Sequence, residues 1–128
     1  MLRPFGDEMR QQRVRAGKTM QDVAREIGVS IAYVSDVERG HRAPLNREQI
    51  LKAATVLGVP PEPLLLAAAQ YRGGFELAFS LGNARRNQLG VVLMRRWESL
   101  GPAGIEDLLR VILPLEEQRE ELEKFPGL

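Results

Sequence analysis

Apolar side chains recur every three or four residues through the first half of the chain, a spacing that places them on one face of an α-helix. This pattern predicts five short helices separated by short connections. Most of the predicted helices end at a glycine, which readily adopts the left-handed conformation of a helix C-cap. The predicted helices cover residues 5–16, 20–27, 31–39, 47–57 and 60–70.

Three of these helices begin with recognisable N-cap residues. Thr19 and Asp22 have the spacing of a capping box, in which each side chain accepts a hydrogen bond from the other residue's backbone. Asn46 and Gln49 have the same spacing, and Ser30 is a favoured N-cap before the third helix. Local signals and apolar periodicity therefore agree on a compact all-α domain over residues 1–70.

The pattern changes after Tyr71. A Gly-Gly pair is followed by apolar side chains at alternate positions, namely Phe75, Leu77 and Phe79. This period of two predicts either a short strand or an extended connector.

Helical spacing returns in the last third of the chain. We expect helices over residues 84–100 and 105–113, with Pro114 kinking or restarting the second of them. An acidic helical segment then continues to about residue 124. Residues 71–128 are therefore expected to form a small, mostly helical region after the five-helix domain.

Composition limits the possible classes of function. Of the 128 residues, 44% are apolar and 27% are charged, as in a soluble folded protein. The chain has no cysteine and a single histidine, which excludes thiolate metal sites and a zinc site built by His41 alone. No segment resembles a membrane span or a signal peptide. We expect a cytoplasmic protein with no membrane association, no metal or cofactor and no enzyme activity.

The charges are unevenly distributed between the two parts of the chain. Residues 1–60 hold ten Lys or Arg against seven Asp or Glu, whereas residues 61–128 hold eight against ten. The imbalance is compatible with an N-terminal part that binds nucleic acid and an acidic C-terminal part. It is also small enough to arise by chance.

The second and third predicted helices have the properties of a helix-turn-helix. Ala24 is small enough for another helix to pack across it, and Gly28 allows the tight turn that follows. Val34 and Val37 have the spacing of a buried face on the third helix. Such a pair braces the third helix so that it enters the major groove of B-DNA.

The chain resembles the lambda-repressor-like helix-turn-helix family of the Cro and xenobiotic-response-element (XRE) type. The resemblance rests on these residues, on the "YVSDVERG" segment and on the succession of five helices. The resemblance covers about residues 5–69. It implies that Arg13 and Glu38 form a structural ion pair between the first and third helices. The other implied site residues are candidates to read bases (Ser30, Ile31, Ala32, Ser35 and Asp36) and to contact phosphates (Lys18, Gln21, Tyr33, Arg39, His41 and Arg42).

Two residues depart from the family pattern. Many members have glutamine where this chain has Met20, and a methionine side chain cannot make the glutamine's hydrogen bond to phosphate. Gln21 is a partial substitute. The backbone amides at the start of this helix are expected to remain available for a phosphate. The recognition helix also lacks side chains that make bidentate contacts to guanine or adenine. Ile31 and Ala32 are expected to pack on thymine methyl groups. Asp36 would accept from cytosine, or would mark a domain that binds protein instead of DNA.

The C-terminal region contains enough apolar side chains for a dimerisation module. Since one helix-turn-helix contacts one half-site, two-fold dimers on palindromic DNA are the usual solution. The alternative is that these helices cap the N-terminal core of a single chain. The dimerisation candidates are Phe75, Leu77, Phe79, Leu93, Trp97, Leu108, Leu109 and Ile112.

These observations predict a sequence-specific DNA-binding transcriptional regulator, most simply a homodimeric repressor that binds double-stranded DNA and associates with the nucleoid when bound. The alternative is an antitoxin or interaction regulator whose C-terminal half binds a protein partner.

Overall fold

A computed structural model describes the backbone of residues 3–124 and the side chains of residues 3–115. The chain forms two compact units, Met1–Glu76 and Leu77–Leu128. The described residues form α-helices, one short 3-10 helix and connecting segments, with no β-strand among them. The protein is therefore all-α, as predicted.

The first unit contains five helices at the predicted places. Their bounds are α1 Phe5–Arg15, α2 Met20–Ile27, α3 Ile31–Glu38, α4 Arg47–Leu57 and α5 Glu62–Arg72.

The core of this unit lies where the five helices meet. Met9, Val23, Val34, Ile50 and Leu64, one from each helix, are fully buried and belong to a single apolar cluster. Each side chain of this size stabilises the fold by about 1.5–3 kcal/mol through burial. The helices are too short to persist alone, so this shared core stabilises them.

The predicted caps are present. The Thr19 hydroxyl accepts from the Asp22 amide at 3.0 Å, and the Asp22 carboxylate accepts from the Thr19 amide at 2.9 Å. Asn46 and Gln49 form the equivalent reciprocal pair at α4. Short-range hydrogen bonds therefore define where α2 and α4 begin.

Replacing Asp22 with alanine should destabilise the fold at neutral pH but not in acid. The Thr19 amide and hydroxyl lower the pKa of Asp22, because their hydrogen bonds favour the carboxylate. A carboxyl group with a depressed folded-state pKa stabilises the protein above its unfolded pKa of about 3.9. That contribution is lost as the pH falls through the folded-state value.

The measurement is urea unfolding of the wild type and Asp22→Ala at pH 7 and near pH 2.5. The control is Gln49→Ala, which removes the neutral partner in the other capping box. We expect the difference in unfolding free energy to shrink in acid for Asp22→Ala alone. An equal change with pH in both variants would refute the role of the Asp22 charge.

Two close contacts link distant segments of the first unit. Gly6 of α1 lies directly against the backbone carbonyls of Val37 and Glu38, where no side chain could fit. Arg72, at the end of α5, donates to the carbonyl oxygens of Pro44 at 3.0 Å and Leu45 at 2.9 Å. Both contacts position the C-terminal end of α3 and the loop that follows it.

The second unit contains two helices whose bounds differ from those predicted. Helix α6 spans Ala84–Arg96 and is followed by a 3-10 turn, Trp97–Ser99, so the α-helix ends four residues before the predicted position. Helix α7 spans Pro102–Lys124. It begins three residues earlier than predicted because proline is well suited to the first turn of a helix.

Pro114 does not end or restart helix α7. The prediction of a kink or restart rested on the hydrogen bond that proline cannot donate. Helix α7 nevertheless continues on both sides of Pro114. The residues around it are exposed, so water can solvate the carbonyl left without a donor.

The segment containing Phe75, Leu77 and Phe79 is an exposed connector and not a strand. A strand requires a neighbour to pair its backbone groups, and the described residues include no second strand. The alternation of apolar residues was therefore not enough to form a strand. Of the two predicted alternatives, the connector is the one confirmed.

The described apolar side chains of the second unit do not form a core. None of residues 77–115 is buried within the chain, including the dimerisation candidates Leu93, Leu108, Leu109 and Ile112. Among the described residues, no helix is both long and apolar enough to cross a membrane.

Candidate nucleic-acid interface

Helices α2 and α3 form the predicted helix-turn-helix. Ala24 and Ile27 on α2 and Val34 and Val37 on α3 are buried in the common core. Gly28 between them has a φ angle of 75°, which an L side chain rarely adopts. This packing leaves the opposite face of α3 available to a ligand.

Two of the five candidates for base reading are exposed apolar residues. Ile31 is 49% exposed, and Ala32 beside it is also exposed. Ser35, one turn further along α3, is half-buried. The Ser30 hydroxyl oxygen caps the helix by accepting from the Tyr33 amide at 3.0 Å. One acceptor site of this hydroxyl oxygen is therefore already used by the helix cap.

Asp36, the negatively charged candidate, has a partner on its own helix. The Arg39 guanidinium lies 3.5 Å from the Asp36 carboxylate, and both side chains are more than one-third exposed. The pair partly offsets the charge that Asp36 would bring into a negatively charged groove. In water such a pair contributes little to stability, so it can separate when Arg39 meets a phosphate.

Most of the phosphate candidates are exposed on the segments next to the helix-turn-helix. Lys18 and Gln21 are exposed before and within α2, and Arg39, His41 and Arg42 are exposed after α3. Exposed cationic and polar side chains of this kind contact the DNA backbone and position a protein on it.

Tyr33, the remaining phosphate candidate, stacks with one of these cations. The Arg42 guanidinium lies over the Tyr33 ring, 4.4 Å from its centroid. This cation–π contact restricts both side chains before any ligand binds. The loop that follows α3 is thereby joined to α3 itself.

Arg13 connects three elements beneath this surface. It donates to both carboxylate oxygens of Glu38, at 2.7 Å and 2.9 Å, and to the carbonyl oxygen of Lys18 at 3.1 Å. The hydrogen bond that Arg13 donates to the Glu38 carboxylate is the main reason that the pKa of Arg13 is raised. Arg13 therefore keeps its positive charge at neutral pH, and its hydrogen bonds position both the end of α3 and the segment before α2.

Two backbone amides near Met20 are already in use. The capping box engages the amides of Thr19 and Asp22, and the Asp22 carboxylate lies at the same helix start. The expectation that the backbone amides there remain available to a phosphate therefore does not hold for the amides of Thr19 and Asp22.

Sequence reasoning missed Gly6 and Arg72, which shape this surface without contacting a ligand. Arg72 supports the loop that carries Arg42 through two backbone carbonyls, and Gly6 permits α1 to approach α3. A glycine in the first turn of a helix was the single available signal for Gly6, since glycine is unfavourable inside helices. Arg72 has no local signal, because its acceptors lie 27 and 28 residues away.

Comparisons with known proteins agree with this geometry. A family described as "Helix-turn-helix domain" matches residues 4–67, which is half of the chain. The chain is 28% identical over 121 residues to the uncharacterized HTH-type transcriptional regulator RghRB of Bacillus subtilis, covering 84% of this chain and 87% of the other.

Two further proteins are similar over about half of the chain. The transcriptional regulator ClgR of Mycobacterium tuberculosis is 32% identical over 65 residues, which cover 51% of this chain and 57% of that regulator. The crystal structure of the restriction-modification controller protein C.AhdI from Aeromonas hydrophila is 37% identical in sequence, with a TM-score of 0.42. That match covers 47% of this chain and 89% of the other.

Proposed function

The chain belongs to the XRE-like helix-turn-helix family and is a DNA-binding transcriptional regulator, and we propose that it acts as a dimeric repressor in the cytoplasm. In this proposal α3 enters the major groove of a palindromic operator and excludes other proteins from the promoter.

The observation that carries the proposal is the two-sided character of α3. Val34 and Val37 bury one face in the core, while Ile31 and Ala32 are exposed on the other. Lys18 before α2 and Arg39 and Arg42 after α3 are exposed cations, the type of side chain that contacts DNA phosphates.

The dimer follows from the size of the recognition unit. A helix of eight residues contacts a short half-site, which is too little information to select one operator in a genome. Two copies related by a two-fold axis read both halves of a palindrome. The second unit, with its exposed apolar side chains, supplies the additional surface for this association.

The test is selection of binding sites from a pool of random DNA duplexes by the purified full chain. We expect an enriched palindrome that binds better than an unrelated competitor duplex. Affinity for the palindrome should fall as salt rises, because phosphate contacts release counterions. Protein that binds the pool without enrichment would contradict sequence-specific repression, and an enriched site without two-fold symmetry would contradict the dimer.

Within the enriched site, we expect Ile31 to read a thymine methyl group. Replacing the contacted thymine with deoxyuridine removes that methyl and leaves the base pair unchanged. Burial of one methyl contributes about 0.8 kcal/mol, so the Kd should rise about fourfold. Fluorescence anisotropy of duplexes with single deoxyuridine substitutions measures this effect.

The effect should depend on Ile31 itself. In Ile31→Ala, the same deoxyuridine substitution should no longer change affinity, whereas Leu66→Ala, at a similarly exposed position on α5, should retain the fourfold effect. A deoxyuridine effect that persists in Ile31→Ala would assign the methyl contact to another residue.

A further inference from the structure

The two helices of the second unit have opposite charges. Helix α6 contains four arginines and no acidic residue, whereas α7 contains seven acidic residues against three basic ones. The net charges of α6 and α7 are therefore +4 and −4. Two surfaces with this relation attract each other at close range.

Each helix also has one apolar stripe at helical spacing. On α6, Arg85, Leu89, Val92 and Arg96 follow intervals of four, three and four residues, which place them along one line. On α7, Ile105, Leu109, Ile112 and Glu116 follow the same intervals.

The two stripes match when the helices run antiparallel. Aligning Arg85 with Glu116 places Leu89 opposite Ile112, and Val92 opposite Leu109. Arg96 then falls at the end of the stripe near Glu106. The register combines two apolar contacts with opposite charges at both ends, as in the helix pairs of small bundles.

Among the described residues of one chain, this pairing is not made. Leu89, Val92, Leu109 and Ile112 are between 38% and 58% exposed, and α6 and α7 do not pack along each other. The segment between the two helices contains the 3-10 turn Trp97–Ser99 and is not a tight hairpin turn. Both stripes are therefore available to another molecule that carries their complements.

We propose that the partner is a second copy of this chain, in an exchanged arrangement where α6 of each protomer packs along α7 of its partner. A second copy supplies both complements at once, since each protomer has one basic and one acidic stripe. Two-fold symmetry then forms the contact twice. The inference deepens the dimer of the proposed function, on which it rests, by identifying which helices associate.

The test uses two charge-reversed variants of the full chain. One variant has Arg85→Glu and Arg96→Glu in α6, and the other has Glu106→Lys and Glu116→Lys in α7. Their masses are measured separately and in an equal mixture by sedimentation equilibrium. In the exchanged dimer, each variant alone opposes like charges, whereas a mixed dimer restores opposite charges at both contacts.

We expect the wild type to be dimeric, each variant alone to dissociate at least tenfold more readily, and the mixture to recover wild-type affinity as a heterodimer. The control exchanges Asp107 and Arg110, an ion pair on another face of α7, through Asp107→Arg with Arg110→Asp. This control should remain dimeric, because the net charge and the stripe are unchanged.

Other outcomes would overturn the proposal in distinguishable ways. A monomeric wild type would refute the proposed dimer itself, and with it the exchange. A wild-type dimer without recovery in the mixture would retain the dimeric regulator and refute the exchange, in favour of a hairpin within each chain or contacts between like helices. Site selection by the wild type tests DNA recognition independently of either result.

Discussion

Replacing Arg13 with methionine is expected to lower the free energy of unfolding by about 3 kcal/mol. The Glu38 side chain is 1% exposed and that of Arg13 is 12% exposed, so the ion pair is nearly removed from water. Methionine preserves much of the side-chain volume but leaves the carboxylate buried without its cation. Removing one partner costs far more than the pair contributes, because the remaining charge keeps its desolvation penalty. Urea unfolding followed by circular dichroism measures the loss.

Two further variants separate this effect from a general change in α1. Arg15→Met removes an exposed cation from the same helix and should change stability by no more than about 0.5 kcal/mol. Arg13→Met combined with Glu38→Leu should recover most of the loss, since no charge remains buried. Equal losses in Arg13→Met and Arg15→Met would show that burial of Glu38 is not the cause.

Replacing Gly6 with alanine should destabilise the first unit by about 3 kcal/mol. Alanine is the better helix former by about 1 kcal/mol, so an exposed position in α1 would gain stability. At Gly6, the added Cβ would overlap the backbone at Val37 and Glu38, and its distance from the Glu38 carbonyl carbon would be 2.8 Å. Backbone atoms cannot rotate away as side chains do, so α1 must move from α3. The steric penalty therefore exceeds the gain in helix propensity.

The same chemical change at Gly90 is the matched control. Gly90 lies within α6, and an added Cβ there would meet no atom within 4 Å. We expect thermal and urea unfolding to show no loss in Gly90→Ala and a clear loss in Gly6→Ala. A Gly6→Ala variant as stable as the wild type would mean that α1 and α3 are less closely packed than the structure indicates.

Much of the first unit could be predicted because its signals are local. The capping pairs at Thr19 and Asn46 involve residues three positions apart, and the turn at Gly28 depends on one backbone angle. The helical spacing of Val34 and Val37 was equally informative, because a period of 3.6 residues is maintained within one element.

The candidate site was less predictable because it depends on contacts between distant segments. The pairing of Arg13 with Glu38 was expected through family resemblance, not through spacing. The stacking of Arg42 on Tyr33 and the support of its loop by Arg72 were not anticipated. These interactions determine which side chains are restricted and which remain available to DNA.

The second unit shows the limits of periodicity in another way. The alternation over residues 75–79 has the period of a strand, yet a strand forms only when another segment pairs with it. The helical period of α7 was correct, but it could not reveal that its apolar stripe remains exposed within one chain. Periodicity identifies which face of a helix is apolar, but it does not identify the surface that packs against that face.

For this protein, the sequence by itself determined the five-helix order, the starts of α1 to α4 and the helix-turn-helix, because these depend on residues within one or two turns. Only the tertiary structure decided that Gly6 must lack a side chain, that Arg72 supports the loop after α3, and that the described residues of α6 and α7 do not pack along each other. The physical reason is that burial and steric overlap arise between segments that chain order does not bring together, and the free energy of those contacts depends on their three-dimensional arrangement.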